Sequence, residues 1–195
     1  MKLRTSLLAL SAILFATLPA LAQNYAIDPA HSEINFSIKH MAISTVRGRF
    51  AIKSGSIVFD AKDAAKSSVT AVIDVTAVDT GVAQRDGHLK SPDFFDTTKF
   101  PTATFTSSSV KRAGTGYEVT GELTLHGVTK PVTLHLDTPS KEQIGMDGKP
   151  HRGFSATTTL HRQDFGLTWN GPLKSGDNVL GDDVPMTFDI EAVQN

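Results

Sequence analysis

The sequence contains no cysteine. This absence excludes disulfides, thiol catalysis and every metal site that relies on a thiolate ligand. Exported proteins often use disulfides to close small folds, so an exported chain of this kind must be held together by its apolar core. With 39% apolar residues among 195, the chain can form such a core as a single domain.

A large excess of charge of one sign is also lacking, because 19 Lys and Arg residues are balanced by 20 Asp and Glu residues. No dense basic run occurs. Nucleic-acid binding needs a basic patch or stripe, so we expect no nucleic-acid partner. Beyond the N-terminal segment, no apolar run is long enough to cross a membrane as a helix.

The N-terminal segment has the three parts of a secretory signal peptide. Lys2 and Arg4 precede an apolar stretch, and Ala20-Leu21-Ala22 fits a small-x-small cleavage site. The apolar stretch is shorter than the roughly 20 residues that a membrane-spanning helix needs. We therefore predict a signal peptide over residues 1–22, cleaved after Ala22, export to the bacterial periplasm, and one domain over residues 23–195.

Most of the remaining chain alternates between apolar and polar residues, which is the pattern of strands with one buried face. Near the start, Ile34, Phe36 and Ile38 take every second position and so point to one side of a strand. Similar rows recur at short intervals, and His126-Gly127 separates two of them as a tight hairpin turn. The pattern predicts eight to ten antiparallel strands.

Two segments depart from this alternation. Asp79 and Thr80 are positioned to cap a short helix over residues 81–90, which Pro92 ends. Residues 141–152 contain two glycines and a proline, and we expect them to form an exposed hairpin tip.

An open sheet of this many strands would leave unpaired edges that attract other chains. Closure removes those edges, and a barrel of about eight strands has either a packed interior or a lumen for one small ligand. Phe165, Leu167 and Trp169 also take every second position and are predicted to form one of these strands. A β-sandwich is the alternative, but long hairpins and a single helix favour the barrel. The expected fold class is all-β, an antiparallel barrel of about eight strands with one short helix.

No motif in the sequence points to catalysis or to a metal. The seven histidines form no H-E-x-x-H motif and no closely spaced pair. There is no G-x-S-x-G, no glycine-rich phosphate loop and no paired-carboxylate signature. We expect no catalytic residues, no metal site and no cofactor.

Charged and aromatic residues are concentrated between residues 85 and 101 as nowhere else in the chain. Arg85 and Asp86 could be surface charges of the helix, with the neighbouring phenylalanines closing one end of a barrel. Alternatively, the charged residues could form a polar rim over an apolar cavity. Both interpretations remain open at this point.

In this segment and in several others, the sequence resembles the YceI-like lipid/polyisoprenoid-binding proteins. The resemblance covers essentially the whole chain after the N-terminal segment, and it rests on motifs that occur in order. The motifs are Asp28 with His31-Ser32-x-Ile34-x-Phe36-x-Ile38-x-His40, Gly48-x-Phe50, Arg85-Asp86-x-His88-Leu89, Phe94-Phe95-Asp96, Phe100-Pro101, Leu123-Thr124-Leu125-His126-Gly127-Val128-Thr129-Lys130-Pro131-Val132, Arg162-x-Asp164-Phe165-Gly166 and Gly181-Asp182-x-Val184.

The resemblance implies an extended, lipocalin-like barrel in the bacterial periplasm. It implies a carrier whose lumen holds a long apolar chain, such as a polyisoprenoid, an isoprenoid quinone precursor or a fatty-acyl lipid. The bound lipid is then the ligand, and catalysis is not expected. Transient membrane contact and a homodimer are further expectations about partners.

Two groups of residues are the candidate ligand site. The apolar rows predict the lining of the lumen, formed by Phe36, Ile38, Phe50, Phe105, Phe154, Phe165, Leu167, Trp169 and Phe188. A polar mouth is predicted at one end, formed by His40, Arg85, Asp86, His88 and Arg162.

Two functions of other classes remain as alternatives. One is an exported enzyme acting on an apolar substrate, with acid/base residues among Arg85, Asp86, His88 and Asp164 facing a cavity. The other is a stress-related structural module without a ligand, whose interior is filled and which therefore has no cavity.

Overall fold

The structure is a computed structural model that describes residues 22–195. The predicted signal peptide lies outside the described residues, apart from Ala22. The described chain forms ten strands, one α-helix and two 3-10 turns. They are β1 (Gln23–Ile27), β2 (Glu33–His40), β3 (Ser44–Phe59), a 3-10 turn (Ala64–Lys66), β4 (Ser68–Asp79), α1 (Ala83–Lys90), β5 (Thr102–Ala113), β6 (Gly116–Leu125), β7 (Val128–Leu136), β8 (Gln143–Ile144), β9 (Pro150–His161), a 3-10 turn (Arg162–Phe165) and β10 (Asp183–Gln194).

Eight of these strands close into an antiparallel barrel. The order around the ring is β10-β2-β3-β4-β5-β6-β7-β9, and the ring closes where β9 pairs with β10. That last pairing runs from His161 opposite Asp183 to His151 opposite Val193. The predicted fold class, a barrel of about eight strands with one short helix, is confirmed. Within residues 22–195, no helix combines the length and the hydrophobicity needed to span a membrane.

β1 and β2 share one position in the ring, because both lie between β10 and β3. The strand is interrupted at residues 28–32, and side chains close the interruption. The hydroxyl of Ser32 accepts a hydrogen bond from the backbone N–H of Glu191 at 3.0 Å. The backbone N–H of Asp28 donates to the carbonyl oxygen of Glu191 at 2.9 Å. The chain thus leaves and rejoins the barrel wall without opening it.

Neighbouring strands run in opposite directions, so the connections fall at two ends of the barrel. We call one the helix end, which carries the turns at 41–43 and 126–127 and the longer connections 80–101 and 162–182. The other is the terminal end, which carries the connections 60–67, 114–115 and 137–149 and both ends of the described chain. The candidate polar residues all belong to the helix end.

Alternation along the strands separates the interior from the exterior, as the sequence indicates. On β5, for example, Ala103 and Phe105 are buried while Thr104 and Thr106 are exposed. Burying one face of each strand places a continuous apolar surface inside the barrel. This surface comes from the β-branched and aromatic residues that suit a pleated sheet.

Helix α1 ends at Lys90, just before Pro92, as predicted, but the predicted cap is wrong. The helix begins at Ala83, and its N-cap is Val82, which makes no side-chain cap hydrogen bond. The carboxylate of Asp79 is engaged before the helix begins, because it accepts from the backbone N–H of Gly81 at 2.8 Å and pairs with Arg49 at 3.0 Å. Asp79 and Thr80 therefore lie before the N-cap position, and the Thr80 hydroxyl bonds Asp86 and Arg85 instead of a helix N–H.

The strand predicted at Phe165, Leu167 and Trp169 is also wrong. Residues 162–165 form a 3-10 turn that Gly166 ends with a left-handed backbone, at φ 75°. The carbonyls of Leu167 and Trp169 accept hydrogen bonds from the Arg162 side chain rather than from a neighbouring strand. The alternation here correctly indicates which side chains face the interior. The backbone, however, is held by the Arg162 side chain and not by pairing with another strand.

The two predicted turns are present. His126 and Gly127 have φ values of 52° and 75°, which is the left-handed pair that a two-residue hairpin turn requires. The segment 141–152 contains the short strand β8, which pairs with the start of β9, and the exposed side chain of Met146 lies in the turn between them. Both turns connect neighbouring strands, as their sequences indicate.

An aromatic cluster lies inside the barrel near the terminal end. Tyr25 is fully buried and meets the ring of Phe154 edge-on, with ring centroids 5.9 Å apart. Phe59 contacts both Phe154 and Tyr117 at 5.8 Å between centroids. The Tyr25 hydroxyl lies 3.0 Å from Oε2 of Glu142. Burial, together with the nearby Glu142 carboxylate, raises the pKa of Tyr25 to about 12.

The raised pKa predicts an alkaline loss of stability that depends on Tyr25. The neutral hydroxyl is favoured in the folded state, so its contribution is complete below about pH 10, the unfolded pKa, and is lost as pH rises towards the folded pKa. The Tyr25→Phe variant should be about 1 kcal/mol less stable at pH 8, because it lacks a hydrogen bond. That difference should shrink and reverse above pH 10. Urea unfolding of both proteins from pH 8 to 11 measures it, and a difference that stays constant with pH contradicts the prediction.

Candidate functional site

The barrel encloses an apolar cavity of about 570 Å³. Its lining extends from Ser44 and Trp169 at the helix end to Ser68 and Tyr117 near the terminal end. The volume falls in the range typical of small-molecule pockets, roughly 300–1,000 Å³. The cavity is inconsistent with the alternative of a filled interior.

All nine residues predicted for the lumen line this cavity. They are Phe36, Ile38, Phe50, Phe105, Phe154, Phe165, Leu167, Trp169 and Phe188. The strands β2, β3, β5, β9 and β10 supply six of them as inward-facing positions, while the other three come from the 3-10 turn and the irregular segment after it. Their contact with a ligand stays a prediction.

Aromatic rings from α1, from the connection between α1 and β5 and from the segment after β9 meet at the helix end. The ring centroid of the His88 imidazole lies 5.3 Å from the ring centroid of Trp169 and 4.9 Å from that of Phe94. Phe94 and Trp169 are 5.1 Å apart. Phe95 packs edge-on against Phe50 of the barrel wall at 5.5 Å. These contacts hold the helix over the end of the lumen.

Four of the five residues predicted for the polar mouth line the cavity, namely His40, Arg85, His88 and Arg162. Asp86 is not part of the lining. Its carboxylate turns towards Thr80, where Oδ1 accepts hydrogen bonds from the backbone N–H, at 2.9 Å, and from the hydroxyl. Asp86 therefore stabilises the connection between β4 and α1.

Thr80 also orients Arg85. Nε of Arg85 donates to the Thr80 hydroxyl at 2.7 Å, and Nη2 donates to the Thr80 carbonyl at 2.8 Å. No pattern in the sequence predicts this role of Thr80, which is identified there only by its place before the helix. The same threonine lines the cavity, so it links the lumen to Arg85 and Asp86 of the helix.

Arg162 is the most deeply buried charged residue of the site, with 5% of its surface exposed. Nε donates to the carbonyl of Gly181 at 2.9 Å, and Nη1 donates to the carbonyls of Trp169, at 3.0 Å, and Leu167. Burial lowers the pKa of its guanidinium, which nevertheless stays charged at neutral pH. Arg162 thus holds the segment 166–181 against the barrel.

The segment that Arg162 holds also supplies lining residues that alternation could not predict. Val179 and Leu180 face the cavity, and Leu180 forms an isolated β-bridge with His40. They could be identified only from the tertiary structure, because the backbone there is positioned by contacts with Arg162 and with the end of β2 and does not form a regular strand.

The acid/base cluster that an enzyme would need is not assembled at the cavity. Of Arg85, Asp86, His88 and Asp164, only Arg85 and His88 line it. Nε2 of His88 lies 3.0 Å from Oδ2 of Asp93, an exposed residue outside the lining. Within residues 22–195, no carboxylate lines the cavity.

One group of side chains outside the lumen has the composition of a metal site. The side chains of Asp28, His31 and Glu191 place one ligand atom each within 4.8 Å of one another. Nδ1 of His31 lies 2.8 Å from Asp28, and this hydrogen bond lowers the pKa of Asp28 and raises that of His31. His31 and Asp28 form an ion pair at the interruption between β1 and β2, while the Glu191 carboxylate pairs with His151.

The fold and the cavity together define a class, that of antiparallel β-barrels enclosing an apolar lumen of a size that suits one small ligand. Within this class the chain belongs to the YceI-like family, whose domain model matches residues 25–192. Protein YceI of Shigella flexneri is 39% identical over 197 residues, covering 98% of this chain and 99% of the relative.

Two solved structures share the fold. BcnA of Burkholderia cenocepacia is 27% identical, with a TM-score of 0.72 covering 85% of this chain and 98% of BcnA. A polyisoprenoid binding domain from Saccharophagus degradans is 21% identical, with a TM-score of 0.61 covering 88% of this chain and 98% of that domain. At the latter identity the likeness is one of fold.

The hydrogen bonds of Asp86 predict a structural role for this residue. Asp86→Ala should destabilise the protein by about 1–2 kcal/mol, because it leaves the partly buried N–H and hydroxyl of Thr80 without their acceptor. Asp93→Ala, which removes an exposed carboxylate from the same connection, should change stability by less than about 0.5 kcal/mol. Urea unfolding measures both. Equal effects of the two substitutions would show that the contact with Thr80 contributes nothing.

Proposed function

We propose that the protein binds a long apolar chain, such as a polyisoprenoid, an isoprenoid quinone precursor or a fatty-acyl lipid, along the lumen of its barrel. In this proposal it acts as a carrier in the periplasm after export and catalyses no reaction. The observation that carries the proposal is the continuous apolar lining between the two ends of the barrel. Membership of the YceI-like family supports it, and a relative of the same fold is described as a polyisoprenoid binding domain.

The lining of the cavity extends along β3 from Ser44 to Phe59, and this extent favours a linear ligand over a compact one. The strands that line it are long, up to 16 residues in β3, and each residue advances a strand by about 3.3 Å. A flexible chain laid along this lumen buries its methylenes one after another, at about 0.8 kcal/mol each. Ordering the chain offsets part of that gain. Binding energy therefore accumulates with length.

The polar residues of the lining support a carrier rather than an enzyme. Arg85 is held by Thr80, and Arg162 is held by backbone carbonyls. His88 is packed between Phe94 and Trp169. Since general acid/base catalysis needs a proton donor and acceptor within reach of a substrate, and no carboxylate among residues 22–195 faces the lumen, these groups are better suited to contacting a ligand than to transforming it.

A carrier of an apolar chain must exchange it with a membrane, and the helix end has the surface for this. Met41 and Ile43 form the tip of the β2–β3 turn and are exposed, Ile43 to 81%. Val82, just before α1, is exposed on the same end. These side chains would enter the outer layer of a membrane during transient contact. A homodimer remains an expectation from the family resemblance.

Chain length provides a first test. For a series of straight-chain alcohols, each added methylene should strengthen binding by up to about fourfold, the equivalent of about 0.8 kcal/mol. The gain should stop once the chain is longer than the lumen. Displacement of a fluorescent fatty-acyl probe measures the affinities. An affinity that is independent of length contradicts a lumen site.

Filling the lumen provides a second test, with an adjacent control. Ala103 faces the cavity and Thr104 faces the solvent on the same strand. Ala103→Trp should weaken binding of the probe at least about tenfold, because the indole occupies the space of the chain. Thr104→Trp should leave binding unchanged. Circular dichroism establishes that both variants fold, and a folded Ala103→Trp protein that binds normally would disprove the proposal.

A further inference from the structure

One stretch of the barrel wall is not joined by strand pairing. Among the residues that the structure describes, β7 and β9 pair at two positions only, His135 opposite Thr157 and Leu136 opposite Ala156. From there towards the helix end, β7 stays paired with β6 and β9 stays paired with β10. The wall is therefore split between residues 128–134 of β7 and residues 158–161 of β9. We call this split the seam.

The sequence of β7 disfavours pairing along the seam. In a regular strand every second backbone N–H faces the same neighbour. The N–H of Asp137 faces β9, because it donates to the carbonyl oxygen of Ser155 at 2.9 Å. Pro131 belongs to the same alternate series, and proline has no N–H to donate. At Thr133 the carbonyl oxygen accepts from the side-chain hydroxyl of Thr158 at 2.9 Å, so a side chain bonds where a backbone N–H would in a paired sheet.

Contacts at both ends frame the seam. Towards the terminal end it stops at the pair of His135 and Thr157. At the helix end, Nδ1 of His126 lies 3.2 Å from the carbonyl oxygen of Phe165, which ties the turn before β7 to the 3-10 turn after β9. Residues 158–161, between these contacts, extend over about 13 Å at about 3.3 Å per residue. The seam is thus a bounded slit and not a frayed strand end.

Side chains alone separate the lumen from the exterior at the seam. A groove on the outer face of the wall shares five lining residues with the lumen, namely Val132, Thr158, Leu160, Phe165 and Met186. Leu160 and Phe165 are buried and close the slit from inside. Where strands are paired, an opening has to break backbone hydrogen bonds, whereas here it needs only movement of side chains. Local openings of this kind are the ones with low free energy.

We propose that the seam between β7 and β9 is a lateral entrance through which an apolar chain passes into and out of the lumen, with Leu160 and Phe165 as the side chains that move aside. This inference rests on the proposed function, because it takes the lumen as the place where the chain is held. A chain lying parallel to the strands can pass sideways along the whole seam.

Entry at the helix end makes a different demand on the chain. There it has to thread tip first past the packed rings of His88, Phe94 and Trp169. Sideways passage avoids this threading, and it leaves α1 and the segment 166–181 in place. The seam runs up to the helix end, so it is compatible with contact between that end and a membrane.

A disulfide across the seam tests the entrance on the chain without its predicted signal peptide. The protein has no cysteine, so Thr133→Cys with Thr159→Cys introduces a single pair, at positions that face each other if the register of β7 and β9 is continued. Oxidation should slow both uptake and release of a fluorescent fatty-acyl probe at least about tenfold, while the dissociation constant changes less than about twofold. An entrance affects both rates equally, and their ratio is the affinity. Stopped-flow fluorescence measures the rates, and dithiothreitol should restore them.

A second disulfide provides the matched control. Thr157 and Thr187 lie opposite each other on β9 and β10, where the strands are already paired, and both line the same outer groove. Oxidised Thr157→Cys with Thr187→Cys should exchange the probe at the rate of the unmodified protein. Equal slowing by both disulfides would show a general stiffening of the barrel and refute the assignment to the seam.

A single substitution tests the entrance without relying on disulfide formation. Thr159 is exposed beside the seam, and Thr104 is exposed on β5 away from it. Thr159→Cys labelled with a polyethylene glycol maleimide should exchange the probe at least about tenfold more slowly, with affinity retained. Thr104→Cys with the same label should exchange it normally. If the disulfide across the seam does not form, this labelled pair decides.

The outcomes separate this inference from the function on which it rests. Normal exchange rates in the labelled Thr159→Cys protein and in the oxidised seam variant overturn the lateral entrance and leave the lumen as a binding site. A rate that falls only because affinity falls equally also overturns it, since the site itself is then damaged. Failure of the unmodified protein to bind the probe at all overturns the proposed function.

Discussion

Pairing of β9 with β10 is the interaction on which the rest of the structure depends. It converts a sheet with two free edges into a closed wall, and it extends over nearly the whole length of both strands. Once the wall is closed, the period of two along each strand sorts side chains into an interior and an exterior. The apolar cavity results from that sorting and from the width of the eight-stranded barrel, whose interior the inward-facing side chains do not fill.

The helix end is organised by a few polar groups rather than by strand pairing. Thr80 binds both Arg85 and Asp86, and Arg162 holds the irregular segment that follows β9. Each of these groups satisfies backbone atoms that would otherwise lie unpaired beside an apolar cavity, where an unmet hydrogen bond is costly. The charged residues at this end therefore fix the shape of the lumen, and two of them also leave its electrostatic character positive.

Sequence alone predicted the fold class and the nine apolar lining residues, because both depend on local alternation. The inward rows on β2, β3, β5, β9 and β10 need only the period of the strand to be identified. The polar residues required tertiary information. Asp86 sits beside Arg85 in the sequence yet turns to Thr80, and nothing in the spacing indicates that choice. The row at Phe165, Leu167 and Trp169 faces inward as alternation suggests, but its backbone follows Arg162 instead of a neighbouring strand.

The place of β1 in the barrel has a consequence for how the chain acquires its structure. β1 begins the described chain and pairs with the last strand, Tyr25 lying opposite Gln194. Contacts between such distant parts of a sequence form slowly, since a long loop must first be closed. Until the C-terminal strand is available, the first and the ninth strands keep open edges and their apolar faces meet water. The wall of the lumen is thus completed by the final residues of the chain, and assembly of the barrel cannot finish while any part of it is still being synthesised.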